Sequence, residues 1–114
     1  MSTISTHILD TAHGRPAAGV PITLERQIGA AGWQRLGGGT TDDDGRVRTL
    51  LADGNTLDPG TYRMTFATAA YFQAQGVTGF YPVVYVIFAI QAADEHYHVP
   101  LLLSPFGYST YRGS

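Results

Sequence analysis

The residues able to do chemistry are few and sit in recognisable places. The 114-residue chain carries four histidines and no cysteine. Two of the histidines, His96 and His98, stand two positions apart in a run of β-favouring residues. A strand there places them on one face with Pro100 and Leu102, opposite Tyr97, Val99, Leu101 and Leu103. A His-x-His pair can form half of a zinc site. With cysteine absent, further ligands would have to come from His7, His13 or carboxylates, so the spacing alone defines no metal centre and offers at most incidental capture of an ion. The bland alternative is one structural, hydrogen-bonded histidine beside a solvent-facing one. Pro100 lacks a backbone donor, so it marks an edge, a bulge or a break in regular pairing. His7, on the face opposite Ile4 and Ile8, reads from the residues alone as an exposed surface histidine. Arg46 and Arg48 share a strand face and read as solvated charges worth little to stability.

Several superficial motifs carry no chemistry. Asp42-Asp43-Asp44-Gly45 lacks both the alternating spacing and the distal glutamate of a calcium loop, and reads as a tight turn. Gly37-Gly38-Gly39 opens no helix that could cradle phosphate. Ser104 and Ser109 lie in no nucleophile elbow.

The elements that must position these residues are short strands punctuated by 14 glycines and 6 prolines, the pattern of an all-β sandwich or barrel. Thr3 to Leu9 alternates, with Ile4, Thr6 and Ile8 on one side and Ser5, His7 and Leu9 on the other, until Gly14-Arg15-Pro16 breaks the pattern. Val20, Ile22 and Leu24 form the inward face of a second strand. Gly29 to Gly32 turns into Trp33 to Leu36. The acidic turn leads into a strand over Arg46 to Leu50, and Pro59-Gly60 into Thr61 to Phe66, with Tyr62, Met64 and Phe66 buried. Thr68 to Gln75 is the lone helical stretch, ending at Gly76. Val83 to Ile90 is apolar on both faces, which predicts cover on both sides, the outer one from a partner subunit.

A hydrophobic fraction of 44% with 14% charged residues describes a folded chain. Its length suits one domain over 1–114 with a single core. The net charge is −2 and the seven Lys+Arg residues are scattered, so no basic field exists to hold nucleic acid or an anionic membrane. The longest apolar run, Val83 to Ile90, falls far short of the roughly 20 residues of a membrane helix. No leader is visible in the first fifteen residues, and the absence of cysteine fits a reducing compartment, so the expectation is a soluble cytoplasmic protein.

The last residues are aromatic, β-favouring and basic where most domains fray. Tyr111-Arg112-Gly113-Ser114 is therefore expected to be docked, bringing a hydroxyl, a carboxylate and a guanidinium to a defined place. Ser5-Thr6-His7-Ile8-Leu9-Asp10 with Gly14-Arg15-Pro16-Ala17, Thr41 to Arg46, Glu95 to Ser104 and the closing Tyr111-Arg112-Gly113-Ser114 together resemble the signatures of the 5-hydroxyisourate hydrolases, the transthyretin-like or transthyretin-related family. The first two blocks are modest and the last is specific. The resemblance covers essentially the whole chain.

That resemblance implies a transthyretin-like two-sheet, eight-stranded sandwich with one short helix. It also implies a homotetramer built as a dimer of dimers, with active sites in the channel between dimers. Carried over residue by residue, it places the catalytic groups at His7, Arg46, His98 and Ser114, with Tyr111 and Arg112 joining His7, Arg46 and Ser114 in substrate binding. The implied reaction is hydrolytic opening of the six-membered ring of 5-hydroxyisourate to 2-oxo-4-hydroxy-4-carboxy-5-ureidoimidazoline, on the path from urate to allantoin, with no metal or organic cofactor. In that scheme a neutral histidine, His98 with His7 as its partner, takes a proton from water, and Arg46 with Arg112 stabilises the oxyanion. Many relatives carry an acidic residue where this chain has Val83, which bears on the strand's surroundings rather than on the chemistry. The scaffold is shared with a hormone carrier whose branch lacks the four-residue set, so a ligand carrier without catalysis is the alternative. A sandwich domain serving only protein contacts is a third.

Overall fold

The computed structural model describes residues 3–92 and 94–114. Two sheets face each other across one core. The first contains β1 (Thr3–Asp10), β2 (Arg15–Pro16), β8 (His96–Ser104) and β9 (Gly107–Thr110) in the order β2-β1-β8-β9, with β5 (Arg46–Val47) also paired to β1. The second runs β4 (Gly32–Thr40), β3 (Pro21–Ile28), β6 (Gly60–Phe66), β7 (Val84–Ile90). The single helix among the described residues, α1 (Thr68–Ala74), connects β6 to β7.

Alternation decides what faces inward. Ile4 and Ile8 of β1 and Tyr97, Val99, Leu101 and Leu103 of β8 meet Ile22, Leu24, Tyr62, Met64, Phe66, Val84 and Val86 from the opposing sheet. Thr6 takes an inward position too and is fully buried, which is tolerated because its hydroxyl donates to the Val99 carbonyl at 2.6 Å. Asp10, 1% exposed, closes β1. Its carboxylate accepts from the Tyr71 hydroxyl of α1 at 2.6 Å, from His13 Nδ1 at 2.9 Å and from the backbone N–H groups of Ala12 and His13. Burial alone would raise its pKa, but these hydrogen bonds outweigh it and the net shift is downward.

β1 and β8 pair in parallel over their whole length, from Thr3 against His96 to Asp10 against Leu103. The other edge of β1 is divided: Thr6 and His7 pair with Val47 and Arg46, and Leu9 and Asp10 with Pro16 and Arg15. Three stretches remote in sequence are thereby brought side by side on one outer face.

One expectation needs correction. The strand predicted over Arg46 to Leu50 is only Arg46–Val47. Leu50 turns into the core, and the chain crosses to the second sheet, where Leu51 bridges Gly37 and the Ala52 N–H donates to the Leu36 carbonyl. Burying one leucine outweighs extending a peripheral ladder. For β7, a single chain covers one face, where Val84, Val86 and Ile90 are buried, and leaves Tyr85 and Ile87 of the face expected to meet a partner subunit 52% and 60% exposed. β7 is an edge strand with an apolar outer face.

Candidate active site

The site is built on the outer face of the β1, β5 and β8 ladder. Parallel register sets Thr3 beside His96, Ser5 beside His98 and His7 beside Pro100, and antiparallel register sets Arg46 beside His7. Side chains of paired residues project to the same face. Four residues from three remote segments of the sequence, His7, Arg46, His98 and Ser5, therefore share one surface. Above it lies an open cleft of about 250 Å³ lined by Ser5, Thr6, Arg46, Val47, Arg48, His96, His98 and Ser114.

Arg46 is delivered by a tight turn. Asp42 Oδ1 accepts the backbone N–H groups of Asp44 at 2.9 Å and Arg46 at 3.0 Å, which answers the reading of the acidic run as a turn. Gly45 holds φ +74°, and a Cβ there would lie 2.5 Å from the Ile8 carbonyl oxygen, so only glycine lets the turn close onto β1. Among the described residues the Arg46 guanidinium takes part in no salt bridge, leaving its donors to the cleft.

His98 is half-buried. Its pKa is held below the usual 6.5, first by burial and then by the positive field of Arg46, His96 and His7. It is neutral at physiological pH. Nδ1 lies 2.8 Å from the Ser5 hydroxyl, which leaves Nε2 as its free nitrogen. Ser5 also reaches His96 Nε2 at 3.2 Å, and His96 Nδ1 is hydrogen-bonded to the Thr3 hydroxyl. Both histidines of the His-x-His pair are hydrogen-bonded. His98 is hydrogen-bonded and half-covered, His96 is exposed, and their rings stack with centroids 6.4 Å apart. Among the described residues no group of three or more His, Cys, Asp or Glu converges as a metal site.

The closing segment is docked. β9 pairs with β8 from Ser104 against Gly107 to Leu101 against Thr110, and the same register continues to a bridge between His98 and Gly113. The gap in the ladder falls at Pro100, which has no N–H to donate; the break expected there is real although β8 is a central strand. Thr110 spans the gap by donating its hydroxyl to the Pro100 carbonyl at 2.7 Å, and the Gly113 N–H donates to the His98 carbonyl at 2.8 Å.

Of the six residues proposed from the sequence, Arg46, His98 and Ser114 line the cleft. His7 adjoins it through its pairing with Arg46 and adds to the field on His98. Arg112 is directed elsewhere: its guanidinium pairs with Glu95 at 3.0 Å and lies over the Tyr97 ring at 4.7 Å. Tyr111 is 58% exposed and outside the cleft lining of the single chain. Sequence reasoning missed Ser5, Thr6, Arg48 and His96 as lining residues. The alternation of β1 did place Ser5 on the face of His7, but nothing in one strand announces which strand lies beside it.

Residues 4–113 match the model of the HIUase/Transthyretin family, and the chain belongs to that family. A probable 5-hydroxyisourate hydrolase of Caenorhabditis elegans is 50% identical over 113 residues, covering 99% of this chain and 82% of the relative. Among solved structures, the 5-hydroxyisourate hydrolase of Klebsiella pneumoniae superposes with a TM-score of 0.84 at 38% identity, covering 98% of this chain and 99% of the other. Sea bream transthyretin in complex with thyroxine superposes with a TM-score of 0.89 at 34% identity, covering 97% and 94%. Backbone similarity thus ranks the thyroxine-bound transthyretin above the hydrolase, while sequence identity ranks them the other way. The sandwich is common to both, so side chains must decide.

Proposed function

We propose that this protein is a 5-hydroxyisourate hydrolase. The observation that carries the reading is the convergence, in one cleft, of a neutral, partly buried His98 with Ser114 and with an Arg46 that forms no salt bridge among the described residues. High identity to proteins named for this activity supports it. A planar, readily anionic ring enters the cleft against Arg46, whose forked donors fit it in a way lysine could not reproduce. His98 Nε2 takes a proton from water as the water oxygen bonds to a ring carbonyl carbon. The oxyanion that forms is stabilised by Arg46. Collapse breaks the ring C–N bond, and the proton held on His98 passes to the departing nitrogen. His7, paired beside Arg46, is the partner that orients or shares the base, and the Ser114 hydroxyl hydrogen-bonds substrate or water. Arg112 reaches the cleft only by leaving Glu95.

A carrier without catalysis is favoured by the TM-score of 0.89 to transthyretin. It gives no reason for a pKa-lowered histidine and that arginine to share a cleft, and we place it second.

Assembly belongs to the same reading. β7 and β9 end their sheets with open edges, and the rings of Phe80 and Tyr81, in the connection leading to β7, pack against each other and on Tyr108 of β9 at centroid distances of 4.9 and 5.2 Å. Phe80, Phe106, Tyr85 and Ile87 remain exposed around them. An apolar edge of this kind suits pairing with a second copy, in keeping with the homotetramer that the family resemblance implies.

The test generates 5-hydroxyisourate from urate with urate oxidase and follows its ultraviolet decay. The protein is expected to accelerate decay well above the spontaneous rate, with or without a chelator. His98→Ala is expected to lose about 10² to 10⁴ of that rate while remaining folded, the usual contribution of a positioned base. A folded protein that leaves the decay at its spontaneous rate would bring the carrier reading forward.

A further inference from the structure

The mechanism needs the lone pair of His98 on Nε2, and an imidazole alone does not guarantee it, since a neutral histidine carries its proton on either nitrogen. What touches Nδ1 decides the matter. In this protein that partner is the hydroxyl of Ser5, 9% exposed and 2.8 Å away.

We propose that Ser5 is a positioning residue that holds His98 in the Nδ1–H tautomer, as the middle of a relay running from His98 through Ser5 and His96 to Thr3. The proposal rests on the hydrolase reading. Counting protons leaves two arrangements of the chain, and the need for a base on His98 selects one. The Ser5 hydroxyl has one proton and two imidazole neighbours, His98 Nδ1 at 2.8 Å and His96 Nε2 at 3.2 Å. It can donate to only one, so the other must donate to it. If His98 Nδ1–H donates to Ser5, Ser5 donates to His96 Nε2. His96 then carries its own proton on Nδ1 and donates it to the Thr3 hydroxyl, its partner there. Every polar atom in this chain is satisfied, and His98 Nε2 is left as an acceptor open to the cleft. Running the chain in reverse puts the proton on Nε2 and removes the base. The register of β1 on β8 builds the device, because it pairs Thr3 with His96 and Ser5 with His98, setting hydroxyls against imidazoles on one face. Ser5 touches no reacting atom in this scheme; it acts through His98.

The experiment reads the tautomer and the kinetics separately. Nitrogen-15 NMR of the substrate-free protein is expected to show His98 protonated on Nδ1 and bare on Nε2. In Ser5→Ala, His98 is expected to shift toward the Nε2–H form that free histidine prefers. kcat is expected to fall about tenfold to a hundredfold with KM little changed, within the ceiling set by what a general base contributes. Ser5→Thr keeps the hydroxyl on a residue suited to a strand and is expected to restore both readouts. A wild-type His98 found as the Nε2–H tautomer would overturn the proposal without any variant. So would a Ser5→Ala protein whose tautomer or kcat matches wild type. The spectra are recorded without substrate, so a wild-type protein inert toward 5-hydroxyisourate would defeat the hydrolase reading while the tautomer still decided whether Ser5 holds His98.

Discussion

At neutral pH the His98 imidazole is uncharged because burial, and then repulsion from the Arg46 guanidinium, oppose its protonation, with His96 and His7 adding to the same effect. The sign matters for both activity and stability. A base whose pKa lies below 6.5 stays competent as the solution is acidified through that value, so the acid limb of kcat/KM is expected to have an apparent pKa below 6.5, measurable in a pH series of initial rates. An acid limb above 6.5 would contradict the assignment of His98 as base. The same shift removes stability as pH falls from 6.5 through the folded-state pKa, because over that window the unfolded chain binds the proton more readily.

At the scale of the element, the segment that continues β9 works as a wall for His98. Gly113 lies flat against the imidazole: a Cβ at that position would sit 2.6 Å from His98 Cδ2 and 3.2 Å from Pro100 Cγ. Both belong to rigid rings, which must shift as a whole to make room. Gly113→Ala is therefore expected to displace either the His98 ring or the Gly113 bridge, and to lower kcat by about tenfold or more, since small misplacements of a catalytic group are costly. Measurement of kcat together with thermal unfolding checks this, with the melting temperature expected to move little because the affected contacts lie on the outer face. Full activity in Gly113→Ala would show that the close approach is not needed. Glycine at 113 was visible in the sequence as part of a closing signature, but its steric reason exists only once β9 lies beside β8.

For the whole molecule, the outer face of β7 and the aromatic edge around Phe80 and Tyr108 are open in one chain. Light scattering is expected to give a mass four times that of one chain. Ile87→Asp, which places a charge on that exposed face, is expected to drive dissociation to smaller species while leaving far-ultraviolet circular dichroism unchanged. A monomeric wild-type protein with full turnover would remove the assembly from the mechanism. The doubly apolar pattern of Val83 to Ile90 predicted cover on both faces, and the fold accounts for only one of them.

Much of this protein can be read from its residues before any coordinates. Period-two alternation grouped Ile4, Thr6 and Ile8 on one face, Tyr62, Met64 and Phe66 on a buried one, and Tyr97, Val99, Leu101 and Leu103 opposite the histidines, because a strand sends successive side chains to opposite sides whatever its neighbours. Glycine after the acidic run and after the helical stretch marked positive φ values that are present at Gly45 and Gly76. The resemblance singled out His7, Arg46, His98 and Ser114. Only the tertiary structure decided which of these meet. The parallel register of β1 on β8 set Ser5 against His98 across 93 positions of sequence, the diversion of Leu50 into the core cut β5 to two residues, and the ion pair with Glu95 turned Arg112 away from the cleft. Alternation is a local property of the backbone and survives in the one-dimensional sequence. Register, side-chain pairing and the pKa of His98 depend on which strands lie together, which is settled when the whole chain competes to bury its apolar surface.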